Sequence, residues 1–187
     1  MSREGMKVVA MRVGEILVDP DTEAPIVVLH GVDEPKLYLP IFIGGMEATA
    51  IATAMAGVDL PRPMTHDLLV AVINEVGTYV RKVTITDLID GTFYAEMTLV
   101  DDQGHQVEVD ARPSDSIAVA LRTGANIYAA ESVLTEAGGM LDADESPDAA
   151  PKSAPVEVAK VAGPAPVVTP DTRLEDLDPD TFGKYKM

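Results

Sequence analysis

Ala111-Arg112-Pro113-Ser114-Asp115-Ser116-Ile117-Ala118-Val119-Ala120-Leu121-Arg122 runs from a strand end into a helix start and gathers two arginines, an aspartate and two serines around that junction. Pro113 has no N–H to leave unpaired, Ser114 is a good N-cap, and Asp115 suits the positive end of a helix dipole. Capping does not use the arginines. Arg112 closes the strand and Arg122 lies two turns along the helix, so both are expected to reach toward the same anion.

A loosely similar pattern, with few identities, occurs earlier in the chain. Glu47-Ala48-Thr49-Ala50-Ile51-Ala52 aligns with Asp115-Ser116-Ile117-Ala118-Val119-Ala120, and Glu75-Val76-Gly77 echoes Glu136-Ala137-Gly138. Around the first copy, alternation predicts strands over Lys7–Asp19, Pro25–Gly31 and Lys36–Ile43. A helix follows Gly44-Gly45, with Met46, Ala50, Ile51, Ala54 and Met55 on its core face, and stops at Gly57. A second starts at Thr65 and turns Leu68, Leu69, Val72, Ile73 and Val76 inward before Gly77. Around the second copy, strands are predicted from Tyr79 to Asp87, Thr92 to Val100 and His105 to Arg112, with turns at Asp90-Gly91 and Asp101–Gly104. Helices at Asp115–Thr123 and Glu131–Ala137 complete it. The expected fold is α+β, a pseudo-duplicated unit of three strands plus two helices.

At 187 residues and 47% hydrophobic content, the chain has enough for one domain with a core and a tail. Residues 1–138 form the expected domain. From Gly139 to Pro170 six prolines and seven alanines in 32 residues read as an acidic, Pro/Ala-rich linker, taken to run over 139–171. Residues 172–187 regain apolar character through Leu174, Leu177, Phe182 and Tyr185 and read as a short helix or a docking peptide for a protein partner. No cysteine is present, which excludes disulfides and thiolate metal sites. The first residues carry no signal-peptide apolar stretch, and no run is long enough to span a bilayer. A cytoplasmic protein without a membrane partner is expected.

Residues 1–138 hold 9 Lys and Arg against 21 Asp and Glu, a net charge of −12. There is no basic run beyond Arg81-Lys82. An acidic body of this kind argues against gripping long duplexes, because phosphate neutralisation and counterion release supply most non-specific affinity. A nucleic-acid partner would be short or single-stranded DNA or RNA, held locally by a few arginines. A duplicated sheet of long strands also leaves edge or apolar surface to cover, so a symmetric homodimer is expected.

The 111–122 run, together with Leu39-Pro40-Ile41-Phe42-Ile43-Gly44 leading to Glu47-Ala48, Arg62-Pro63-Met64-Thr65-His66-Asp67-Leu68-Leu69, and Asp90-Gly91-Thr92-Phe93-Tyr94-Ala95, closely resembles the bifunctional nuclease domain family, in the family's order over roughly residues 6 to 138. The resemblance implies a duplicated α+β unit with a barrel-like mixed sheet and peripheral helices. It also implies phosphodiester hydrolysis in DNA, RNA or both.

Several residues are candidates for that chemistry. His66 is the candidate general acid or base, since an imidazole titrates near neutrality. Glu47, Asp67, Asp110 and Asp115 offer oxygen ligands that would suit Mg²⁺ or Mn²⁺. Such a metal would lower the pKa of a bound water, while Arg62, Arg112 or Arg122 held non-bridging oxygens with Ser114 beside them. No HExxH, EF-hand or Walker A motif is present. Thr65 and Asp67 also have a structural use at a helix start, Asp110 and Arg112 share one strand face, and His30 and His105 read as structural or solvated. The alternative to a nuclease is a non-enzymatic regulatory module that binds a phosphorylated ligand or protein through Arg112, Asp115 and Arg122.

Overall fold

A computed structural model describes residues 5–141. Strands β1 (Val8–Val18), β2 (Pro25–Gly31) and β3 (Leu37–Phe42) form an antiparallel meander, followed by helices α1 (Gly45–Met55) and α2 (Thr65–Glu75). A second meander, β4 (Thr78–Ile89), β5 (Thr92–Asp101) and β6 (Gln106–Ala111), leads into α3 (Pro113–Thr123). Asp90 and Gly91 adopt φ of 51° and 74°, the left-handed pair that a two-residue hairpin turn demands. The described chain ends with β7 (Asn126–Ala130), α4 (Glu131–Ala137) and β8 (Gly139–Met140).

All eight strands join one mixed sheet in the order β6-β5-β4-β7-β1-β2-β3-β8. The two meanders are the expected duplicated units, and β7 sews them together, parallel to β4 and antiparallel to β1. That strand was not foreseen. Asn126-Ile127-Tyr128-Ala129-Ala130 is short, and three of its five residues are alanine or asparagine, yet it is central, with Ile127, Ala129 and Ala130 buried.

The sheet is open where a barrel-like one was expected. Edge strand β6 is mostly exposed, and the opposite edge, β8, is two residues long and pairs only with Leu37 and Tyr38, too short a ladder for closure. Gly139 and Met140 stood at the head of the expected linker. The rest of 139–171 apart from Leu141, and the 172–187 segment with its docking role, lie outside the described residues. No described helix is long and apolar enough to cross a membrane.

The core lies between the sheet and the helices, with Leu29, Leu39, Ile51, Ile85 and Ile117 fully buried. α3 is its centre: Ile117, Ala118, Val119 and Ala120 are buried, and its small side chains let α1 and α2 approach. Two helical stripes depart from expectation. In α1, Ala50 and Ile51 are buried, but Met46 is 79% exposed and Met55 also faces water. In α2 only Ile73 is buried, while Leu68, Leu69, Val72 and Val76 are exposed. The helix is rolled so that His66, Asp67, Val70 and Ile73, spaced along one face, turn inward. Ion pairs from that face to α3, described next, account for the roll.

Candidate functional site

The starts of three helices converge, and each carries an acid at its third helical position. α1 opens after Gly44 and places Glu47 there, α2 opens after Met64 and places Asp67, and α3 opens after Arg112 and places Asp115. A carboxylate in a helix's first turn is favoured by the free N–H groups and the dipole, so the local sequence fixes all three. Ser114 and Thr65 are therefore not the N-caps the sequence suggested. Pro113 takes the first position of α3, and the Met64 N–H donates to Asp67 Oδ2 at 2.7 Å, so each helix starts earlier.

Arg112 ties two of the acids together. Its Nε donates to Asp115 Oδ2 at 2.8 Å and its Nη2 lies 2.9 Å from Glu47 Oε1. Asp115 in turn accepts at Oδ1 from His66 Nε2, 3.0 Å away. Glu47, Arg112, Asp115 and His66 thus form one continuous chain across α1, α3 and α2. Burial pushes the Asp115 carboxyl up, but hydrogen bonds from Arg112 and His66 outweigh it and leave it below its ordinary value. The same pairing with Asp115, then with Glu47, raises Arg112.

Arg122 plays a different part. Its side chain is 10% exposed, against 66% for Arg112. It donates to Asp67, to the Ala118 carbonyl at 2.9 Å and to the Ala50 carbonyl at 3.1 Å, fastening all three helices. Its hydrogen bond, then that of the Met64 N–H, holds Asp67 below its usual pKa. The two arginines do not reach one anion. Arg112 alone presents its guanidinium to water, with Nη1 free of any hydrogen bond among the described residues.

Two cavities meet at Arg112 and Glu47. The smaller, about 200 Å³, is lined also by Met46, Met64, Thr65, His66 and Asp115. The larger, about 470 Å³, lies between the end of β3, the β4–β5 turn and Ser114, which is buried. Other candidates fall outside. Arg62 is exposed in the connection before α2 and makes no ion pair among the described residues; Asp110 lies in register with Glu96 of β5, not against Arg112. His105 is exposed beside Asp101, and buried His30 contacts Glu15 and the Pro35 carbonyl.

Among the described residues, no three His, Asp or Glu side chains are grouped to hold a metal ion. Glu47, Asp67 and Asp115 each already face an arginine. A divalent cation at these carboxylates would have to displace the arginines from them.

A match to the bifunctional nuclease domain covers residues 27–142, including both cavities and every residue of the Glu47–Arg112–Asp115–His66 chain. The chain belongs to the bifunctional nuclease domain family. An uncharacterized protein of Mycobacterium tuberculosis is 45% identical over 140 residues, 75% of this chain and 82% of that protein. Bifunctional nuclease 2 of Arabidopsis thaliana is 33% identical over 98 residues, and Bifunctional nuclease 1 of the same plant 31% over 100. These matches span 51% and 52% of this chain but only 30% and 31% of the plant proteins. β1 precedes the matched bifunctional nuclease domain, yet it pairs with both β2 and β7 and completes the sheet.

Three features of the site escape sequence reasoning: the Ala50 and Ala118 carbonyls on Arg122, the Met64 N–H on Asp67, and the larger cavity. Backbone acceptors carry no side-chain signal. The cavity does have one, in Phe42 and Phe93 of the two aromatic-bearing motifs, but only folding brings them together.

Proposed function

We propose that this chain hydrolyses phosphodiester bonds in DNA or RNA, with Arg112 holding the phosphate and His66 acting as general base. The observation that carries this reading is the exposed Arg112 guanidinium beside the His66–Asp115 hydrogen bond, in a cavity lined by both. Asp115 orients the imidazole through Nε2, which leaves Nδ1 to take a proton from a water whose oxygen bonds to phosphorus; the bond from phosphorus to the leaving oxygen breaks, and that oxygen takes a proton from solvent. Arg112 Nη1 donates to a non-bridging oxygen and stabilises the charge that develops on phosphorus. The site carries three carboxylates against two arginines, so a phosphate gains little from long-range attraction and must be held by direct contact. Short or single-stranded substrates follow from that and from the acidic body. No step is routed through a metal.

A homodimer belongs to the same reading. The exposed Leu68, Leu69, Val72 and Val76 give α2 an apolar face beside the site, which a second copy of the helix would cover.

The test is an initial-rate assay of the purified full chain on single-stranded DNA, single-stranded RNA and duplex, with and without EDTA. Cleavage of the single strands that persists in EDTA and disappears in folded Arg112→Ala is the expected result. Activity lost in EDTA and restored by Mg²⁺ would mean that Glu47 and Asp115 leave Arg112 for a cation. No cleavage of any substrate would turn the site into a phosphate-binding module.

A further inference from the structure

We propose that the larger cavity, between the end of β3 and the β4–β5 turn, is a slot for one unpaired nucleobase of the strand whose phosphate lies on Arg112. The proposal rests on the hydrolase reading for the phosphate and adds how the strand is gripped. At about 470 Å³ the cavity is within the roughly 300–1,000 Å³ range of small-ligand sites. Phe42, the last residue of β3, and Phe93, the second of β5, both line it. The whole chain has three phenylalanines and no tryptophan, so two of three meet at one cavity.

The two differ in a useful way. Phe93 is half-buried against the core and makes a fixed wall, set by the tight Asp90-Gly91 turn beside it. Phe42 is 60% exposed, an aromatic side chain left in water at the mouth of a cavity. Stacking a base there removes apolar surface from solvent and needs no particular base identity.

Placement completes the argument. Arg112 and Glu47 line this cavity and the smaller one that contains His66. A phosphate on Arg112 therefore has the imidazole to one side and the aromatic slot to the other, which suits a nucleotide bound through both its phosphate and its base. Residues 1–138 carry a net −12, so the body repels a polyanion and a non-ionic contact has to help hold it. Base stacking is that contact. A duplex satisfies the slot only by flipping a base out and losing its pairing and stacking, so the slot selects unpaired strands.

The Phe42→Trp substitution gives the full chain a single tryptophan at the slot. In a His66→Ala background, which keeps the strand intact, its emission is titrated with pentadeoxyadenylate and with a pentamer of abasic deoxyribose phosphates. Saturable quenching by the first and none by the second is expected, with Phe93→Ala weakening it about ten-fold. Equal response to both pentamers, or to neither, overturns the slot. Should tryptophan itself distort the cavity, anisotropy of a labelled pentadeoxyadenylate on Phe42→Ala decides, with unchanged affinity counting against the proposal. Wild type cleaving base-bearing and abasic strands with the same KM removes the slot and leaves the hydrolase reading; quenching without any cleavage by wild type does the reverse.

Discussion

Asp115 accepts a hydrogen bond from His66 at 3.0 Å across 49 residues of sequence, joining the third residue of α3 to the second of α2. The same carboxylate holds Arg112. One acid thus orients the proposed base and the proposed phosphate ligand, while its neighbour Asp67 is held by Arg122.

The two arginines should separate stability from activity. Arg122→Ala removes a guanidinium that fastens three helices and leaves the Ala50 and Ala118 carbonyls without their donor. Breaking a buried pair costs about 3–5 kcal/mol, and here about 2–3 is expected because Asp67 can rehydrate. Arg112→Ala breaks exposed pairs and should cost no more than about 1 kcal/mol. Urea unfolding of both variants checks this; similar midpoints would contradict the assignment of Arg122 as a fastener.

Acid should loosen the same helices. Asp67, chiefly through Arg122, and Asp115, where Arg112 and His66 outweigh burial, both titrate below their ordinary values in the folded chain. Their unfolded forms bind protons more readily, so the stability they add is fully present above about pH 4 and is lost as pH falls through the folded-state values. Thermal melts should show a Tm that drops below about pH 4, with a shallower drop in Asp67→Asn. Parallel pH profiles for wild type and Asp67→Asn would refute the link.

Ser116 offers a stabilising change. Its side chain is fully buried and its hydroxyl has no hydrogen-bond partner among the described residues. Ser116→Ala removes a polar group that lost its water on folding, so it should stabilise by about 1 kcal/mol and raise Tm by roughly 2–4 °C. A lowered Tm would show that the hydroxyl is satisfied in solution.

The apolar face of α2 gives the test of association. Light scattering at micromolar concentration should return a dimer mass for wild type and a monomer mass for Val72→Glu, with the circular dichroism spectrum unchanged. A monomeric wild type, or a dimeric Val72→Glu, would rule out this face.

Much of the fold is legible in the sequence because it is written in local signals. Alternation marks the six meander strands, Asp90-Gly91 marks a turn that only left-handed residues make, and glycines mark helix ends. β7 is illegible because its five residues hold too few β-branched or aromatic side chains to outweigh two alanines, and pairing with strands on both sides is what makes it a strand. α2 misleads for the opposite reason. Its strongest apolar stripe is clear in the sequence, but the ion pairs to Arg122 and Asp115 turn the polar face inward. The site is half legible: the acids and arginines stand out at helix starts, whereas their pairing depends on which helix ends the sheet brings together. Nothing in the spacing of Arg112 and Arg122 says that one is exposed and the other nearly buried.

Arg112 and His66 are proposed to act together on a phosphodiester. Cleavage of a single-stranded oligonucleotide by the Arg112→Ala/His66→Ala double variant, compared with wild type at matched Tm, tests this most directly. A rate at least about 100-fold below wild type is expected, the usual scale for loss of a general base. Wild-type cleavage by the folded double variant would contradict it and assign the activity elsewhere.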